Sequence, residues 1–198
     1  RVESYLRDTV EQIVFAICET SMRLHTKYRN VDVHLDPHVS FVTSQELEDM
    51  YPELSPEARE NAHVEKHHTT FILQIGHKLN SGKPHDMRAP DYDDWLLNGD
   101  LLFWHEPLGK AMELSSMGIR VDKEAMLAQL EISDEMHRLD YEFHQKVVDG
   151  TLPFTIGGGI GQSRMCMLLL GKAHIGEVQV SLWDEETVAA CAGVIELL

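Results

Sequence analysis

The run Gly157-Gly158-Gly159-Ile160-Gly161-Gln162-Ser163-Arg164 constrains this chain more than any other feature. Thr155-Ile156 enters it as a strand. Gln162 to Leu170 leaves it as a short apolar helix closed by Gly171. A helix this apolar has to be buried, so the glycines fall between a strand and the core. Glycines leave the backbone open to a flat ligand at close range. A helix N-terminus with an arginine in its first turn favours an anion or a purine face. The run is not a P-loop, because Gly-Lys-Ser/Thr is missing. It is not the dinucleotide fingerprint either, because Arg164 stands where the third glycine belongs. A glycine turn before a core helix with a surface arginine is the plainer alternative, and spacing alone leaves both open.

The rest of the chain supplies a mixed architecture. Leu6, Val10, Ile13, Val14, Ile17 and Leu24 form one helical stripe. Val31, Val33 and Leu35 alternate as a short strand, and Val39 to Val42 reads as another. Thr43 with Glu46 is a capping box, and Ser55-Pro56-Glu57 opens a helix to about His67. Thr69 to Gly76, Asp100 to His105 and Met112 to Val121 read as strands. Asp122 caps a helix over Lys123 to Leu130. Asp134 to Val148 reads as a second helix, and the tail after Trp183 as helical. No steady βαβ rhythm appears, so the pattern predicts an α+β domain with a largely antiparallel sheet.

Composition excludes several function classes. The 198 residues include 17 Lys+Arg and 33 Asp+Glu, a net charge of −16. Such a surface repels phosphate backbones, which argues against nucleic-acid binding but not against a small anion held by local arginines. No window approaches the roughly 18 apolar residues of a membrane span. The opening Arg1-Val2-Glu3-Ser4 has no signal-peptide pattern. Cys18, Cys166 and Cys191 are odd in number and form no CxxC motif, which reads as reduced cytosolic thiols. His63 and His67 stand at i, i+4 without the H-E-x-x-H pattern or a third ligand, so exposed helix histidines outweigh a zinc pair.

Two more constellations carry possible chemistry. Asp100 and Glu113 lie on consecutive strands, an arrangement suited to Mg²⁺. Strand parity turns Glu113 and Ser115 one way and Ser116 and Arg120 the other, unless Ser115-Ser116-Met117-Gly118 holds a bulge. Asp91, Asp93 and Asp94 stand beside Tyr92 and Trp95, and a carboxylate there could hold an ammonium or take its proton. Locally, a solvated hairpin is the better explanation of the first segment, and an acidic surface turn explains the second equally well.

Ala89-Pro90-Asp91-Tyr92-Asp93-Asp94-Trp95, Leu97-Asn98-Gly99-Asp100, Glu113 to Arg120 and Gly157 to Arg164, in that order, resemble ammonia-dependent asparagine synthetase, or aspartate–ammonia ligase. That family shares the catalytic fold of class II aminoacyl-tRNA synthetases. The resemblance implies an antiparallel sheet flanked by helices, a cytoplasmic homodimer, and ATP with Mg²⁺. It implies L-aspartate and ammonia as substrates and β-aspartyl-adenylate as intermediate. It implies Asp93 and Arg164 as catalytic residues, with Ser115, Ser116, Arg120 and Gly159 binding substrate. ATP would be held by Asp100, Glu113, Leu114, Gly161 and Arg164, and the metal by Asp100 and Glu113.

The family also has an N-terminal portion with the first two class II motifs, and a longer loop near Trp95-Leu96-Leu97. The expectation is therefore a single catalytic domain over 1–198 without that portion or part of that loop. The catalytic core of an aspartyl- or asparaginyl-tRNA synthetase, or a nonenzymatic amino-acid- or nucleotide-binding paralogue, remains an alternative.

Overall fold

The apolar stripe of the first segment becomes the buried face of a long helix, α1 (Glu3–Lys27), with Leu6, Val10, Val14 and Ile17 against the core. The computed structural model describes residues 2–198. After α1 come β1 (Ser40–Thr43), α2 (Ser44–Met50), α3 (Pro56–His67), β2 (Thr69–Leu73), β3 (Asp93–His105) and β4 (Lys110–Arg120). Then follow α4 (Lys123–Ile132), α5 (Glu142–Val148), β5 (Ile156–Ile160), α6 (Gln162–Leu170) and α7 (Glu185–Cys191). The strands form one sheet in the order β1-β2-β3-β4-β5. β1 and β2 run parallel, and every other neighbouring pair is antiparallel. The α+β class read from the sequence is the class observed.

One face of the sheet packs Phe71, Leu73, Leu101, Phe103, Leu114, Met117 and Ile119 against α1 and against Leu168 and Leu169 of α6. The other face packs Ile72 and Leu102 against Leu47 of α2 and Val64 of α3. β2 is buried along its whole length because both faces are covered. On this second face α3 packs over β2, β3 and part of β4. The remainder of β4 and the edge strand β5 border an open cavity. No helix among the described residues is long and apolar enough to cross a membrane.

Four local readings need correction. Residues 31–39 form no strand. Their carbonyls are taken by side chains of α1 instead: Ser21 Oγ donates to Val33 O at 2.7 Å, and His25 Nδ1 lies 2.9 Å from Val31 O. The helix read over Asp134–Val148 is broken. A 3₁₀ turn at Met136–Asp140 precedes α5, and Tyr141 between them is extended. Asp91 accounts for the break. It accepts from Arg138 at 2.7 Å and pairs with His144 at 3.1 Å, gripping one residue on either side. The tail helix ends at Cys191. His63 is buried rather than exposed, with its ring stacked 4.3 Å from His67. Burial and its cationic neighbours push its pKa down to about 4. No group of three metal-ligating side chains occurs among the described residues.

The glycines do not follow a strand; they are the strand. Gly157, Gly158 and Gly159 pair with Gly118, Met117 and Ser116. A Cβ on Gly158 would lie 2.4 Å from Met117 Cβ and 3.0 Å from Ser116 O, whereas one on Gly159 would meet nothing within 4 Å. Gly158→Ala is therefore expected to cost about 1–3 kcal/mol through overpacking against backbone, a fall of several degrees in Tm. Gly159→Ala should melt like the wild type. Thermal melting of the two variants checks both, and equal melting temperatures would remove the packing reason for Gly158.

Candidate active site

One extra residue in β4 decides what faces the cavity. Leu102 pairs with Glu113 but Leu101 with Ser115, so Leu114 has no partner in β3. Such a bulge reverses the alternation of side chains. Met112 and Leu114 enter the core before it, Met117 and Ile119 after it. Glu113 thereby joins Ser116 and Arg120 on the cavity wall. The bulge sits one residue earlier than the stretch Ser115–Gly118 read from the sequence. That shift leaves Ser115 buried in the sheet, outside the wall. The bulged backbone is also used. Leu114 O accepts from Gly161 N at 3.0 Å, and Glu113 O from Arg164 Nη1 at 2.9 Å. Both bonds fix the entry to α6.

The cavity is about 480 Å³ and open to solvent. Gly158, Gly159 and Gly161 form one side, Asp93 and Arg120 another, and Glu113, Ser116 and Arg164 a third. Side-chain absence makes the room. A Cβ on Gly157 would reach within 2.3 Å of the Arg120 guanidinium, and one on Gly118 within 2.9 Å of Asp93 Cγ. Arg120 donates to Asp93 Oδ1 across the paired ends of β3 and β4, with its guanidinium 5.5 Å from the Tyr92 ring. Asp93 is buried. Burial pushes its carboxyl above the ordinary aspartate value, while Arg120 pulls the other way. Arg164 stays half exposed, 3.4 Å from the Glu113 carboxylate.

Asp100 is placed differently from the sequence expectation. It faces Ser116 across the β3–β4 ladder. It is not part of the cavity wall, because Arg88 covers it with an ion pair to Oδ2 while also bonding Asp86. Asp100 Oδ1 is buried without a hydrogen-bond partner among the described residues. Burial pushes the carboxyl up to about 6, with Arg88 opposing the shift and Glu113 adding to it. The three acids of Asp91–Asp94 separate. Asp91 holds Arg138 and His144, Asp94 accepts from Leu96 N at 2.9 Å, and only Asp93 reaches the cavity.

Two supporting residues escaped the sequence reading. Arg88 heads the acidic segment Arg88–Trp95, but the sequence assigns it no role. Gln129 was hidden on α4. Its only signal was a polar residue beside Leu130 and three after Met126, both fully buried.

The sheet, its glycine edge strand and the arginine-bearing helix share the fold of class II aminoacyl-tRNA synthetases. Solved structures of that class overlay it. An Entamoeba histolytica asparaginyl-tRNA synthetase in complex with asparaginyl-adenylate matches with TM-score 0.63 at 16% identity, over 88% of this chain and 43% of that one. An aspartyl-tRNA synthetase from the same organism matches with TM-score 0.61 at 16% identity, over 90% and 40%. The family is narrower: residues 1–194 match the profile of aspartate-ammonia ligase, and the chain belongs to that family. An aspartate–ammonia ligase of Lactobacillus johnsonii is 54% identical over 94% of this chain and 56% of the relative. One of Lactobacillus acidophilus is 56% identical over 94% and 56%. The chain thus spans little more than half the length of these curated relatives.

Asp100 yields a pH signature. Its folded-state value lies above the ordinary 3.8 of an aspartate, so folding takes up a proton between about pH 4 and 6. Stability from this group is therefore lost as pH rises through that window. Asp100→Asn removes the titration. Its Tm relative to metal-free wild type should grow between pH 4 and 7, reflecting about 2–3 kcal/mol. A difference that stays constant with pH contradicts the raised carboxyl.

Proposed function

We propose that the protein is an ATP-dependent ligase making L-asparagine from L-aspartate and ammonia, with release of AMP and pyrophosphate. The observation that carries this reading is the Asp93–Arg120 pair beside a glycine-walled cavity, in a chain of the aspartate–ammonia ligase family. Residues 1–198 act as its catalytic domain, in a cytoplasmic homodimer. A chain of net charge −16 suits a free amino acid better than tRNA.

A carboxylate is a poor electrophile, so the β-carboxylate first needs a leaving group. Its oxygen attacks the α-phosphorus of ATP, and the bond to pyrophosphate breaks. The product is β-aspartyl-adenylate. Arg164 offers a planar cation to the adenine or the phosphate oxygens. The backbone of Leu114 and Gly161 shapes the nucleotide side, and Gly159 leaves room beside it. Ser116 and Arg120 hold the aspartyl portion. Asp100 and Glu113 fit a magnesium ion once Arg88 gives up Asp100: the two acids repel each other, and Asp100 Oδ1 has no hydrogen-bond partner among the described residues. When bound, Mg²⁺ would supply positive charge to the phosphate oxygens.

Ammonia then attacks the activated carbonyl and AMP leaves. Ammonia is mostly ammonium near neutral pH, so a site must bind the cation and accept a proton. Asp93 lies on the cavity wall where its carboxylate can hold the cation, and burial, which raises its pKa, makes it the better proton acceptor. Arg120 now pairs with Asp93. A substrate carboxylate drawn to Arg120 would compete for that guanidinium and free Asp93 for ammonium.

Two sets of variants test the reading. Asp93→Asn should keep aspartate-dependent ATP–pyrophosphate exchange while asparagine synthesis falls roughly 10²–10⁴-fold. Equal loss of both would make Asp93 a binding or folding residue. Arg164→Lys should lose most of the exchange rate and Arg164→Ala nearly all, about 3–4 kcal/mol of transition-state stabilisation. Melting should fall by only a few degrees, since the Arg164 contacts to Glu113 that hold the entry to α6 are solvent-exposed. Wild-type exchange by Arg164→Ala would end the nucleotide role of this wall. Exchange that required tRNA would favour a synthetase instead.

A further inference from the structure

Asp93 sits where the sheet stops supporting its own strand. Asp93 pairs with Arg120, yet the next pair is Asn98 with Gly118. Residues 94–97 therefore stand opposite Ile119 alone. Tyr92 O still accepts from Val121 N at 2.9 Å, but among the described residues the ladder to β4 leaves the chain unpaired from Asp94 to Leu97, directly after the carboxylate.

Gln129 supplies what the ladder lacks. It lies on α4 and is 2% exposed. Its Oε1 accepts from Trp95 N at 2.8 Å. Its Nε2 donates to Pro90 O and to Asp93 O, each at 2.9 Å. All three bonds fall on the six residues that bracket Asp93, and they use the amide's acceptor and both of its donors. A buried amide with every group satisfied is a rigid connector, because breaking one bond strands a polar group. Its anchor is firm as well. Asp122 caps α4 through Ala125 N at 2.9 Å, and Met126 and Leu130 pack with Val121 in a small core of their own. Gln129 does not line the cavity, so any effect it has on the reaction acts through Asp93.

We infer that Gln129 is a positioning residue for the ammonia step, holding the Pro90–Trp95 backbone so that the Asp93 carboxylate meets the incoming nitrogen. The inference rests on the proposed role of Asp93. A displacement of about 1 Å at a reacting group costs as much as 10²-fold in rate. That cost should fall on synthesis and spare adenylation, in which Asp93 has no chemical part.

The experiment compares Gln129→Met and Gln129→Glu in the natural full-length protein. Methionine keeps the length of the side chain and loses all three bonds. Glutamate keeps the acceptor for Trp95 N and regains one donor only when protonated. Gln129→Met should lower asparagine synthesis about 10–100-fold, seen largely as weaker use of ammonium, while ATP–pyrophosphate exchange stays within about threefold. Combined with Asp93→Asn, it should add less than about twofold, because two residues acting on one step are not additive. Gln129→Glu should recover its ratio of synthesis to exchange as pH falls from 8 to 6, with melting temperature recorded alongside.

Equal loss of exchange and synthesis, or the full effect persisting on top of Asp93→Asn, would overturn the inference and leave Gln129 a packing residue. Impaired Asp93→Asn beside normal Gln129→Met and Gln129→Glu would overturn it alone. A fully active Asp93→Asn would overturn the role of Asp93 and this inference together.

Discussion

The bulge at Leu114 is the constraint on which the site depends. Without it Glu113 would share a face with Met117 and Ile119, which are core residues. With it, Glu113, Ser116 and Arg120 share the cavity wall, and the carbonyls of Glu113 and Leu114 bind Arg164 and Gly161. One unpaired residue in an interior strand thus sets both the acidic side of the cavity and the start of α6. Edge strand β5 lies close against β4 because Gly158 has no Cβ to meet Met117 Cβ at 2.4 Å and Ser116 O at 3.0 Å. The glycine run and the bulge are two halves of one packing solution.

Electrostatics follows from an acidic chain whose proposed ligands are anions. The cations at and beside the cavity are already matched with carboxylates: Arg120 with Asp93, Arg164 with Glu113, and Arg88 with Asp100. These pairs keep the arginines oriented and limit the repulsion among acids. An anionic ligand enters by exchanging partners rather than by meeting bare charge. Burial keeps the exchange energetically significant at Asp93 and Asp100, where water cannot easily replace the lost partner.

Much of this was legible in the sequence, for reasons that differ by element. The stripe of α1, the capping box at Thr43, the Ser55 and Asp122 caps and the glycine stop at Gly171 obey local rules, and the structure has all of them. The strand read at Val31–Leu35 failed because alternation cannot tell a sheet neighbour from side chains of α1 that take the same carbonyls. The helix over Asp134–Val148 failed because Asp91, far away in sequence, pins Arg138 and His144 on both sides of a break. In the site, parity announced that a bulge was needed but not that it would fall on Leu114 and bury Ser115. Gln129 stayed invisible because it acts through contacts of long sequence separation that no spacing encodes, whereas Arg88 lies near its partners Asp86 and Asp100 in sequence but no local rule announces the pairing.

The central claim is that the β-carboxylate of aspartate is activated by adenylation in this cavity. The most direct measurement is isotope transfer. L-Aspartate labelled with ¹⁸O in its β-carboxylate is turned over with ATP and ammonium, and the products are weighed by mass spectrometry. Adenylation puts one labelled oxygen into the phosphate of AMP for each asparagine formed, and none into pyrophosphate. Label in pyrophosphate or in inorganic phosphate, or asparagine formed with unlabelled AMP, would contradict it.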